Sequence, residues 1–200
     1  MWALVEDGSI TKLINKPRGM IIDDIQYSRK IFSLWSVAEK EAKGIYEIVW
    51  DDSKKKDEEY YTNTNQTFTY DADAGTVTAT YGDATAKAHA DTLFTEDDED
   101  NGLGTEGEVK VEGLKTVKIR IIKKQAAGIL AETDWYVVRK ADADTSVPSA
   151  ITNHRAAVRT KCASMETAIT NASNTAAIET LYTRDADGER PLGELPELEV

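Results

Sequence analysis

The spacing of apolar residues changes character near the middle of the chain. Up to about residue 81 they come in short runs or alternate with polar positions. Beyond that point a stripe runs through Val109, Leu114, Val117, Ile121, Ile122, Gln125 and Ile129, mostly at steps of three and four. A second stripe follows through Ile151, Val158, Cys162, Met165 and Ile169. Alternation is the signature of strands with one covered face, and steps of three and four are that of amphipathic helices. The pattern predicts an α+β protein.

In the first half, residues 2–5 and 10–14 flank Asp7-Gly8, a tight-turn pair, and read as a hairpin. Residues 20–25 add a short strand. Ser36 followed by Glu39 is a capping box, opening a short helix that should stop at Gly44. Residues 45–50 are rich in β-branched and aromatic side chains, the strongest strand signal in the chain. Residues 60–70 and 76–81 form a further alternating pair around the turn at 71–75. The expectation is a small, mainly antiparallel β domain with one short helix, spanning residues 1–95.

Residues 96–107, acidic and glycine-containing, read as a linker. The helical domain is placed at residues 108–184. Its first helix runs over about 108–132, unless Gly113 marks the start. Pro148, with Ser146 or Thr145 as cap, opens a second helix reaching about 170. Thr175 caps a short third one. Each apolar stripe needs cover, so the two long helices are expected to fold back as an antiparallel hairpin. Trp135 sits at the reversal, placed to bury more surface than any neighbour. Residues 185–200, carrying Gly188, Pro191, Gly193 and Pro196, are expected as an extended tail.

Charge narrows the partners. With 36 acidic against 24 basic side chains, the net charge is −12. That argues against nucleic acid or an anionic membrane and favours other proteins, a homo-oligomer among the options. A single cysteine, Cys162, excludes an internal disulfide and fits a reducing compartment. No leader and no membrane span is expected.

Chemistry-bearing constellations are sparse. His154 and Cys162 share a helix face but lie two turns apart, about 12 Å of rise, which is too far for proton transfer. Cys162 reads as a buried apolar residue and His89 as a surface histidine. Asp97, Glu99, Asn101, Gly102 and Glu108 fall at calcium-loop positions, although Glu99 is longer than the usual ligand and Gly104 replaces the apolar anchor. The aromatics Tyr27, Phe32, Trp35, Tyr46 and Trp50 suit the core of a small β domain. Arg155 and Arg159 share a helix face, suited to intramolecular pairing or to an acidic partner. No enzyme activity and no cofactor is expected.

The segment from Lys123-Lys124-Gln125-Ala126 to Leu130-Ala131-Glu132-Thr133-Asp134-Trp135 resembles the bacteriophage tail assembly chaperone family. In that family a helix ends in leucine, small or polar residues and Asp-Trp, and the next helix carries an aromatic-Arg-x-x-apolar-Arg motif. Here that motif reads His154-Arg155-Ala156-Ala157-Val158-Arg159, with histidine in the aromatic position. The likeness covers roughly residues 118–169, and residues 1–61 look like proteins encoded beside tail-fibre genes. The resemblance implies a non-enzymatic tail protein that contacts tail or tail-fibre components. It would be a virion structural or adaptor component, or an assembly chaperone. Its place would be the host cytoplasm during assembly or the virion tail. Asp134, Trp135, Arg155 and Arg159 are the expected partner-binding residues. The alternative is a host-surface glycan-binding module of a fibre or baseplate, using exposed aromatics of the β domain.

Overall fold

The computed structural model describes residues 1–198. The chain is α+β and divides into two compact units, Met1–Thr85 and Ala86–Val200.

The first unit opens with β1 (Trp2–Glu6) and β2 (Ser9–Ile14), joined by Asp7 and Gly8 at φ 50° and 74°. Two successive positive φ values give the turn the twist that matches its strands. A second hairpin, β3 (Met20–Ile22) with β4 (Ile25–Tyr27), turns at Asp23 and Asp24, also both at positive φ, so residues 20–25 do not form one strand. The one-turn helix α1 (Ile31–Leu34) precedes α2 (Val37–Glu41), where the domain was expected to hold one helix. The Ser36–Glu39 capping box is present.

Strands β5 (Ile45–Asp51), β6 (Tyr61–Thr62), β7 (Thr67–Asp71) and β8 (Thr76–Thr80) follow, and the two-residue β9 (Thr85–Ala86) lies at the junction. The five-stranded sheet has the order β2-β1-β5-β8-β7. Strand β5 divides its pairing. Residues 45–47 run antiparallel to β1, and residues 48–51 run parallel to β8, the one parallel pair of this sheet.

Strand β1 has core on both faces, which explains its unbroken apolar run. Leu4 joins Ile14, Met20, Ile22, Ile31, Phe32 and Ile45, while Ala3 and Val5 join Ile48, Val77 and Ala79.

In the second unit, β10 (Thr92–Leu93) and β11 (Val109–Val111) form an antiparallel ribbon around α3 (Glu96–Asp100). Residues 96–107 are therefore not a linker, and the unit boundary falls earlier. Thr95 and Asp98 close a capping box, and Lys110 pairs with Asp98 at 2.6 Å. These contacts fold an acidic stretch that composition alone reads as solvated.

Helix α4 (Leu114–Ala131) starts at Gly113, so residues 109–111 belong to a strand and not to the helix. Helix α5 (Asp134–Ala143) is an extra element where only a joint was expected. Helix α6 (Ser149–Asn171) has Pro148 itself as N-cap, not Ser146 or Thr145. Helix α7 (Thr175–Tyr182) is capped by Asn174, whose side chain accepts from Ala177 N, while Thr175 Oγ1 donates to Lys87 O at 2.6 Å. Helices α4 and α6 lie antiparallel. Lys115 Nζ reaches Thr170 O at 2.8 Å, Lys123 pairs with Glu166 at 3.0 Å, and Leu130 O meets Arg155 at 2.6 Å.

Between these helices lie Ile122, Ala126, Val158, Cys162, Met165 and Ile169, with Leu192 among them. The expected tail thus contributes to the core. Leu192 is 3% exposed and its N–H donates to Leu181 O.

Gly113 has no side chain with which to cap α4, and the Ala90 carbonyl group would lie 2.3 Å from a Cβ there. The cap comes instead from 22 residues upstream. Asp91 accepts from Gly113 N at 2.7 Å and from Thr116 Oγ1 at 2.8 Å. The Gly113 N–H first, then the Thr116 hydroxyl, hold the Asp91 carboxyl below its usual range.

Two outcomes are expected. Leu192→Ala should lose about 2–4 kcal/mol in urea unfolding, whereas a loose tail would lose close to nothing. Asp91→Ala should lower the Tm near neutral pH. Because the folded pKa is depressed, this stabilisation is complete above the unfolded value of about 3.9 and is lost as pH falls through the folded one. The Tm gap to wild type should therefore shrink only in acid.

Candidate functional site: the corner between the long helices

Arg155 organises the corner. Its Cα lies on α6, yet its guanidinium reaches back across the hairpin, and the residue is 8% exposed. Nη1 donates to Leu130 O at 2.6 Å and to Thr133 Oγ1 at 2.7 Å, and Nη2 meets Asp134 Oδ1 at 2.8 Å. Leu130 lies in the last turn of α4, where carbonyls lack helical partners and the helix dipole is negative. Asp134 lies in the first turn of α5, where a carboxylate is favoured. Thr133 between them is buried, and its hydroxyl donates to Leu130 O at 3.1 Å. One guanidinium thus ties three elements together.

Of the four residues expected at an interface, Asp134 and Arg155 are joined to each other. This is an intramolecular pairing, one of the two options open for Arg155, made with α5 and not with the facing helix α4. Arg159, expected on the same face as Arg155, is exposed and donates to Arg155 O at a long 3.4 Å. It lines a shallow recess with Lys123, Leu130 and Cys162.

Trp135 does not bury itself at the reversal, because Thr133 and Arg155 already fill the inside of the corner. It is 51% exposed and lies against Tyr136, ring centroids 3.8 Å apart. The Arg139 guanidinium sits 4.6 Å from the Trp135 ring, a cation–π stack that holds the indole outward. Val137 and Val138 are exposed beside it, and α5 contributes no buried residue.

The calcium-loop candidates do not converge. Asp97 and Glu99 lie two residues apart on α3, about 200° around the axis, so their carboxylates diverge. Asn101 is engaged with Asp97 O at 2.6 Å, and Glu99 accepts from Glu106 N at 2.9 Å. Glu108 lies beyond, with its backbone in the ribbon. Among the described residues no group of three acidic, histidine or cysteine side chains is placed to hold a metal. Burial first, and then Glu166, which accepts from Sγ at 3.4 Å, push the Cys162 thiol up.

The aromatics of the first unit mostly pack inward. Trp2 meets Phe32, Tyr27 meets Trp35 edge-on, and the Tyr46 and Tyr70 hydroxyls lie 3.1 Å apart. Trp50 remains exposed against Phe68.

The chain matches no family model, no curated protein and no solved structure.

Residue spacing alone did not reveal α5 as a separate exposed helix. The one signal was Trp-Tyr-Val-Val, four large side chains in a row, which no single helix face can bury.

Arg155→Ala should destabilise by about 2–3 kcal/mol, through lost packing and the loss of its short hydrogen bonds to Leu130 O and Thr133 Oγ1. Asp134→Asn should cost under about 1 kcal/mol, since that carboxylate is largely in water. Equal losses for the two in chemical denaturation would show that the ion pair, not the carbonyl cap, dominates.

Proposed function

We propose that this chain is a non-enzymatic tail protein of a tailed bacteriophage. It acts by contact with tail or tail-fibre components, as a virion structural or adaptor part or as an assembly chaperone. The observation that carries the contact reading is α5, a ten-residue helix with no buried residue. It holds Trp135, Val137 and Val138 out to solvent, with Val138 64% exposed. Large exposed aromatic and aliphatic side chains on a firmly anchored element are what protein interfaces use as anchors.

The assignment to a tail is supported by the resemblance in residues 118–169. Its two separate halves, the Asp-Trp pair and the first motif arginine, meet physically as the Asp134–Arg155 bond of 2.8 Å. On this reading the motif preserves a corner, and the corner presents Trp135. The partner-binding role passes from Asp134 and Arg155, which hold the scaffold, to the outer face of α5.

Co-expression with tail and tail-fibre proteins and affinity capture tests the proposal. Trp135→Ala combined with Val138→Asp should cut recovery of the bound tail protein more than about tenfold. Val49→Asp, at an exposed position of the first unit, should leave it unchanged. Undiminished capture by the double variant would overturn the α5 interface, and failure to capture any tail or fibre protein would overturn the tail assignment. Mass spectrometry of purified virions then separates the two roles, since fixed copy number means a structural part and absence means a chaperone.

A further inference from the structure

The ribbon of β10 and β11 is built with one finished face and one bare face. On the finished face Phe94 lies over Gly104, where a Cβ would meet the ring at 2.6 Å. Lys110 Nζ sits 5.6 Å from the Phe94 ring centroid and pairs with Asp98. On the other face Leu93 stands opposite Val109, with Val111 two residues along the same strand. All three are exposed, Val111 at 57%. The ribbon has two strands, and among the described residues no further strand pairs with the outer edge of β11. An isolated pair of strands with a bare apolar face is marginal in water and gains from a further strand.

The charge around this face identifies what fits it. Residues 92–112 carry eight acidic side chains and one lysine, a net charge of −7. Asp98 is neutralised by Lys110 and Glu112 by Arg120. Glu96, Asp97, Asp100, Glu106 and Glu108 take part in none of the ion pairs found among the described residues. A second copy of the chain would bring like charge against like, and nucleic acid is repelled for the same reason.

We infer that the β10–β11 ribbon docks a lysine- or arginine-rich polypeptide segment with apolar residues at alternate positions, added as a strand along β11. Its apolar side chains cover Leu93, Val109 and Val111, and its cations meet the unpaired carboxylates around the ribbon. Backbone pairing supplies attachment and the alternation supplies specificity. This surface is distinct from α5, and the inference does not rest on the tail assignment.

The test is a titration of the full chain, followed by amide NMR, with the peptide Lys-Val-Lys-Val-Lys-Val-Lys. The matched control replaces each valine by glycine. Shifts confined to residues 92–111, weakening with added salt, are expected. So are at least tenfold weaker binding of the glycine control and at least tenfold weaker binding of the peptide to a Val109→Thr/Val111→Thr variant, which keeps strand propensity. Equal binding of the glycine control would reduce the effect to diffuse attraction and overturn the inference. Shifts elsewhere, no binding, or self-association through residues 92–111 without peptide would also overturn it.

Discussion

The second unit depends on a cation placed where helix packing would ordinarily put an apolar residue. Position 155 falls on the inner stripe of α6, between Ile151 and Val158, and an apolar side chain there would fill space without closing the corner. Arginine spans the gap with its aliphatic stem and satisfies, at its far end, the carbonyl terminus of one helix and the acidic start of the next. Lysine offers a point charge without the planar fork that engages both at once. The apolar seam packs α4 on α6, and that placement closes its far end and fixes where α5 begins.

How much of this was legible in the sequence depended on how local each cause was. Asp7-Gly8 announces its turn because two adjacent residues suffice, and Ser36 with Glu39 announces a helix start because capping acts over three residues. The stripe on α6 was readable for the same reason, and five of its predicted members are buried. The cap on α4 was not, because Asp91 reaches Gly113 from a distant segment and nothing at Gly113 itself names its donor. The burial of Arg155 was also hidden, since arginine normally lies outside and only the tertiary fold supplies a carbonyl for it to serve. The acidic run misled in another way. Its composition signals solvation, and the short Thr95–Asp98 capping signal that contradicts it is easily outweighed by five consecutive acidic residues.

For the candidate site the sequence located the corner but misassigned the roles. Asp134, Trp135 and Arg155 do come together, yet the arginine turns inward, the aspartate meets it from the solvent side, and the indole faces out. Surface area alone would place Trp135 inside the corner. What decides its position is the polar content of the corner, which leaves no room for an indole, and the neighbouring guanidinium of Arg139, which gives it a partner outside.

The divided pairing of β5 has a kinetic consequence. Its first half meets β1 across 41 to 45 residues, as in Leu4 with Ile45 and Trp2 with Glu47, and its second half meets β8 across 29, as in Ile48 with Val77, so neither contact is local. Both pairings close long loops before they return any stabilisation, which slows folding. Until β8 docks, the apolar residues around Ile48 stand at an open edge. The sheet of the first unit is therefore complete only when both distant pairings are made, while α4 and α6 fold back across the nearer connection that carries α5.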